Sequence, residues 1–425
     1  MKAKFFVIWV FFLVFGLTLS TNSPAMAAEK PIVIGAPLAT AFLYGWDADR
    51  AMRLAVEEIN AKGGVNVKGT KRPFEVVTMD TRDLEPGVPV SDALLTMEKL
   101  ILEKKADFII GGPVRSEAAL AAMDLLSKYK KVSILTTGAL TPAYNARVAE
   151  NYEKFKYCFR ISGEAKWMVT GEIIPCLVDI GKQHKLNKLF IMVQDVAHAR
   201  AGGELIAKIM TGKGWTVLGK PEIYPTGTTD FSMGLLKAKK EGAEVILIWM
   251  DMPESSILLK QWYDLKVPAL PFGSIIAAAE QPGFWKATEG KGEYCLANVV
   301  NAGNAPSKAT PWTMKFYDAY TKKYKIEPEG YGASSSYMAV YTLKEAIEKA
   351  GTLDSDAVVT ALEKTDLMGV YGRIRFDKSH QVIPSLDPKE GAVGTIFQWH
   401  KGKRVVVYPP KIATGEILLP PWMKK

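Results

Sequence analysis

Residues 31–64 read PIVIGAPLATAFLYGWDADRAMRLAVEEINAKGG, and their pattern sets the fold class. Ile32-Val33-Ile34-Gly35 is a short apolar run without alternation, the pattern of a strand buried on both faces. Met52, Ala55, Val56 and Ile59 then recur at helical spacing, and Gly63-Gly64 ends that helix. The unit repeats downstream. Residues 74–79 read as a strand, Leu94, Met97 and Ile101 as a helix, Phe108-Ile109-Ile110 as a strand running into Gly111-Gly112-Pro113, residues 116–128 as a helix, and 132–136 as a strand. Strands alternating with helices predict a parallel sheet covered on both faces.

A second series follows, with strands at 189–193, 215–218 and 245–249. Helical patterns separate them: Leu205, Ile206, Ile209 and Met210, then Phe231, Leu235 and Ala238, then Leu258, Trp262 and Leu265. Toward the C-terminus come a helix with Leu343, Ala346, Ile347 and Ala350 and strands at 374–376, 396–399 and 405–407. The expected fold is α/β, with two doubly wound parallel-sheet lobes joined by a multi-strand hinge. The reading assigns 28–157 and 285–365 to one lobe, and 158–284 and 366–425 to the other.

The leader differs from the rest. Lys2 and Lys4 precede a charge-free apolar run from Phe5 to Leu19, and Ala25-Met26-Ala27 supplies small residues for cleavage. This order predicts a cleaved secretory signal over 1–27, because the run is shorter than the roughly 20 residues that span a bilayer. The leader holds no cysteine, so no lipid-attachment site is expected. The three cysteines, Cys158, Cys176 and Cys295, allow one disulfide with a thiol left over or three buried thiols. Lys and Arg exceed Asp and Glu by 9, but the basic residues are scattered, which argues against nucleic acid as a partner.

The common catalytic and metal patterns fail. His184, His198, His380 and His400 form no zinc-binding pair. Gly214 to Lys220 has phosphate-loop spacing, but Pro221 stands where Ser or Thr is required. Ser127 and Lys130 have Ser-x-x-Lys spacing only at the end of an amphipathic helix, and neither a Gly-x-Ser-x-Gly elbow nor a dinucleotide-binding glycine pattern occurs. No catalytic residue, metal or cofactor is implied. The strand-end loops remain, and ligands of open α/β sheets bind there. Ser116 begins a helix, where free N–H groups and the helix dipole suit a carboxylate, although an N-cap role explains a serine there equally well. Arg115 and Arg200 are candidates for pairing with an anion, Tyr44 and Trp46 for a flat apolar wall, and Asp251 for a cationic or hydroxyl group. Packing or rim positions are the alternatives for the arginines and Trp46, and an N-cap before Pro253 for Asp251.

The chain resembles the periplasmic branched-chain amino acid and amide binding proteins of ABC transporters. The resemblance rests on residues 32–38, on Tyr44-Gly45 followed by 54–65, on 110–116, on 346–351 and on 369–377, in that order. It implies a type I periplasmic-binding-protein fold, closure of the hinge on a small-molecule ligand, a periplasmic location, and membrane permease subunits as partners. It also implies that Ser116 holds a ligand carboxylate. The next loop, Gly138-Ala139-Leu140, lacks the family's Thr hydroxyl, with Thr141 adjacent. One family Tyr aligns with Ala199, flanked by His198 and Arg200, and a second aligns with Asp251. A Glu that meets the ligand ammonium aligns with Ile275 or Ile276. The expected ligand is therefore a carboxylate with an apolar or aromatic body, with amino acids, amides and urea-like compounds open. A ligand sensor for a membrane receptor is the rival function.

Overall fold

The computed structural model describes residues 29–423 except 282 and 331, so the expected signal peptide at 1–27 lies outside the described residues. Two main sheets organise the chain. The first runs in the order Phe74–Asp80, Ile32–Leu38, Phe108–Gly111, Ser133–Leu135 and Cys158–Arg160, all parallel. Successive side chains of a strand point to opposite faces, and the core divides accordingly. Ile32, Ile34, Phe108 and Ile110 pack toward the helices Leu43–Ala61 and Ala333–Ala350. Val33 and Ile109 pack toward Val90–Leu102 and Ser116–Lys128.

The second sheet runs Glu222–Tyr224, Lys188–Gln194, Val245–Met250, Leu270–Ile276, Leu296–Val299, Thr395–His400 and Lys403–Tyr408, with Thr216–Val217 paired to Lys188–Gln194. Its last two strands are antiparallel, so this lobe is mixed and not wholly parallel. Val245–Met250 is buried along its whole length. Ile246, Ile248 and Met250 face one helical layer, while Val245, Leu247 and Trp249 face the other.

Strand pairing moves the lobe boundaries from those read in the sequence. Cys158–Arg160 belongs to the first sheet, and Leu296–Val299 belongs to the second, with Leu296 opposite Phe272. Residues 367–376 were expected with the second lobe. Instead Leu367–Gly369 and Gly372–Ile374 form a separate hairpin, and the following segment packs on the first lobe's last strand. There Phe159 stacks on His380 at 3.9 Å and meets Phe376 edge-on at 5.1 Å, and Tyr371 donates to the Ile161 carbonyl at 2.9 Å. The chain thus crosses after Arg160, after Val299 and again before Thr395. Periodicity cannot place such crossings, because a hinge strand looks the same whichever sheet it joins.

Helix Leu43–Ala61 is tied to the returning helices by side-chain bonds. Glu58 accepts from Tyr337 at 2.5 Å and from Tyr341 at 2.8 Å, and Tyr320 donates to Asp47. All three cysteines are buried free thiols. Burial pushes Cys158 up to about 12, so it is an inert thiol. No helix among the described residues is long and apolar enough to cross a membrane.

Candidate functional site

The parallel strands of each sheet release their loops at one carboxyl edge, and the two edges face each other. Tyr44 and Leu140, both on the first lobe, pack against the apolar core of the second. Glu117, in the first turn of Ser116–Lys128, acts electrostatically on His198 of the second lobe.

On the first lobe, Arg115 is the extended residue that caps Ser116–Lys128, and no side chain caps this helix. Ser116 is therefore the first helical residue and not the N-cap. The N–H groups of this turn are left for another acceptor, and the helix dipole favours an anion there. Arg115 is turned toward the 83–88 loop: its N–H donates to Asp83 at 2.6 Å and its Nη1 to the Val88 carbonyl at 3.2 Å. It is not the free anion ligand expected from sequence, although its Nε has no partner among the described residues.

Gly138 and Ala139 both take the left-handed conformation, at φ +66° and +44°. A Cβ on Gly138 would lie 2.3 Å from the Val114 carbonyl oxygen, and Ala139 N–H donates to that same oxygen at 2.6 Å. The Gly138-Ala139-Leu140 loop is thus pinned beside the Ser116 turn. Tyr44 and Trp46, read as loop residues, lie in the first turn of Leu43–Ala61. The Trp46 face is covered by the Arg50 guanidinium at 4.5 Å. The Tyr44 ring is backed by Gly330, where a Cβ would come within 3.0 Å of it.

On the second lobe, His198 Nε2 lies 2.7 Å from Asp251. Burial lowers the His198 pKa, but the bond to Asp251 and the charges of Asp251 and Glu117 outweigh it, so the net shift is upward. Gln194, buried at the end of its strand, accepts from the N–H groups of Asp251 at 2.8 Å and Met252 at 3.2 Å and so fixes this turn. Asp251 is not an N-cap, since Glu254 fills that position for Ser255–Asp264. Arg200 is paired with Asp195 on the exposed rim. Ile275 and Ile276 lie at the end of Leu270–Ile276, where Ile275 belongs to the apolar cluster that Tyr44 and Leu140 pack against and Ile276 packs on the opposite face.

A buried acidic residue follows this strand four residues after Ile276. Glu280 ends the short helix Ala277–Glu280 and is 3% exposed, with Oε2 unpartnered among the described residues. Burial raises its carboxyl well above the usual range, and Asp251, Glu329 and Asp47 push the same way against Arg404. Glu329 is likewise buried, with Oε1 unpartnered among the described residues and its carboxyl pushed up to about 7 by burial. Asp47 is raised by burial although Tyr320 hydrogen-bonds to it. Sequence reading missed Asp47, Glu280, Glu329 and Arg404. One signal was present: Glu280 is the first charged residue after the buried strand, following Ala277-Ala278-Ala279. Among the described residues, no group of three His, Cys, Asp or Glu side chains is placed to hold a metal ion.

A family model described as periplasmic binding protein matches residues 39–387. The chain belongs to the periplasmic binding protein family. This periplasmic binding protein is 27% identical to Leu/Ile/Val-binding protein homolog 7 of Brucella suis biovar 1 (strain 1330), over 89% of this chain and 90% of that one. Solved structures share its fold. A Silicibacter pomeroyi protein assigned to branched-chain amino acid ABC transport has a TM-score of 0.80 at 19% identity, covering 93% of this chain and 100% of that one. LivJ of Streptococcus pneumoniae, in complex with isoleucine, has a TM-score of 0.69 at 22% identity, over 89% and 100%. A solute-binding protein of R. palustris in complex with benzoate has a TM-score of 0.65 at 17% identity, over 89% and 96%. The type I periplasmic-binding-protein fold expected from the sequence is the fold observed.

Proposed function

We propose that this periplasmic binding protein is a non-enzymatic solute carrier, exported by a signal peptide cleaved after Ala27. It captures a small carboxylate-bearing molecule between its lobes and presents it to the permease subunits of an ABC transporter in the periplasm. The observation that carries the reading is the uncapped helix start at Ser116, beside the left-handed Gly138–Ala139 turn and opposite the His198–Asp251 pair. Helix N–H groups and a serine hydroxyl suit one carboxylate. Tyr44 and Leu140 supply apolar surface for the ligand body. Closure follows from the ligand's higher affinity for the state in which both edges touch it.

A thermal-shift screen with L-leucine, benzoate, glutarate and acetamide tests this. The carboxylates raise the melting temperature and acetamide does not. A larger shift with acetamide, or chemical consumption of any of these compounds, overturns the reading.

Glu280 favours a narrower second reading, an α-amino acid. Its buried oxygen, unpartnered among the described residues and close enough to Asp251 to feel its charge, matches an ammonium group, which would relieve the excess of buried negative charge. On this reading Glu280→Gln weakens L-leucine binding about tenfold or more and leaves benzoate binding unchanged, as read by calorimetry. Equal effects on both ligands would remove it.

A further inference from the structure

Arg160 is fully buried where the chain leaves the first sheet, and its guanidinium joins two regions far apart in sequence. Nη1 donates to the carbonyls of Ala139 at 2.7 Å and Thr141 at 2.8 Å. Nε donates to Gln381 Oε1 at 2.6 Å, and Nη2 lies 3.3 Å from Glu164. Gln381 in turn donates to the Ser162 carbonyl at 2.8 Å and the Val382 carbonyl at 3.2 Å. The backbone repeats the link, with Arg160 N–H bonded to the His380 carbonyl and Val382 N–H bonded to the Arg160 carbonyl.

We propose that Arg160 is a positioning residue that locks the 138–141 loop to the hinge, so that the loop and two of the lobe crossings move as one unit. The inference rests on the assignment of that loop to the ligand site under Proposed function. The peptide plane is rigid and trans, so its C=O and N–H point in opposite directions. With the Ala139 carbonyl turned onto Arg160, the Leu140 N–H points away from it. The Leu140 carbonyl accepts from Ala165 N–H at 2.9 Å, in the first crossing, which turns the Thr141 N–H the other way as well. Arg160 and the first crossing therefore set the direction of two loop amides. A planar fork with five donors can hold three acceptors on separate segments at once, and a lysine ammonium cannot hold them in that plane.

Amide hydrogen exchange on the full mature chain without ligand tests the link, so its result is independent of which compound binds. Among the described residues, Gln381 makes no hydrogen bond to the 138–141 loop. In Gln381→Leu, the Ala139 and Ala165 amides exchange about tenfold faster, as they do in Arg160→Lys. Gln381→Glu keeps the acceptor for Nε but loses the two bonds donated to the Ser162 and Val382 carbonyls, so it loosens residues 381–384 while retaining wild-type rates at Ala139. The double variant Arg160→Lys/Gln381→Leu is no faster than the single ones. If Gln381→Leu loosens only residues 376–384, or if the double variant is additive, Arg160 is a local packing residue and the proposal falls. Should Arg160→Lys fail to fold, the contrast between the Leu and Glu variants at 381 decides alone. Loss of the functional reading would show separately, as carboxylates that give no thermal shift.

Discussion

Glu172 sits in a π-helical turn, Met168–Ile173, just after the first crossing. It accepts from Asn298 at 2.9 Å and lies against Gly394, where a Cβ would fall 2.1 Å from its Oε1. Burial pushes its carboxyl from the ordinary 4.5 up to about 8. Across that window the folded chain keeps a proton that the unfolded chain has released, so stability falls as pH rises. Glu172→Gln removes this loss: its stability relative to wild type climbs between about pH 5 and about pH 8, by at most about 1.4 kcal/mol per pH unit. Urea titrations at several pH values measure it, and a difference that stays flat with pH contradicts it. His198 acts in the same direction, on binding. Its raised pKa places a positive charge at the cleft as pH falls, so benzoate binding strengthens on acidification, and His198→Asn flattens that dependence in calorimetry.

The helix Ser116–Lys128 and the loop at Gly138 separate binding from stability at the scale of elements. Because Arg115 holds the N-cap position, Ser116→Ala leaves unfolding stability within about 0.5 kcal/mol while carboxylate affinity drops about tenfold. A fall of both together would make Ser116 a structural residue. Gly138→Ala behaves differently, since its Cβ must displace the Val114 carbonyl from a left-handed position, at a cost of about 1–3 kcal/mol seen in denaturant midpoints. The strands and helices themselves were legible, because Ile32–Leu38, Val245–Met250 and Leu43–Ala61 write their burial into their residues. Loop placements were harder. Tyr44 and Trp46 were read as part of the loop after the first strand because the helical spacing was read from Met52 onward, yet the helix starts at Leu43 and Gly45 is buried in it, where a Cβ would fall 2.0 Å from the Ala39 carbonyl oxygen.

At the scale of the whole molecule, Arg404 is one tie between the lobes. From the second lobe's strand Lys403–Tyr408 it donates to Tyr317 at 2.9 Å, to Glu327 at 2.7 Å and to the Pro328 carbonyl at 3.0 Å, all on the first lobe. Arg404→Met deletes these bonds and shifts the unliganded protein toward an open arrangement. Small-angle scattering then reports a larger radius of gyration than for wild type, and an unchanged radius would show that the contact does not hold the lobes.

The sequence alone determined the two α/β series, the absence of the common catalytic patterns and the position of Ser116 at a helix start, because each is a matter of neighbours along the chain. Tertiary structure decided which sheet each hinge segment joins, that Arg115 and Trp46 are engaged elsewhere, and that Asp47, Glu280, Glu329 and Arg404 meet between the lobes. Those outcomes depend on burial and on partners hundreds of residues away, and a local pattern carries no record of either.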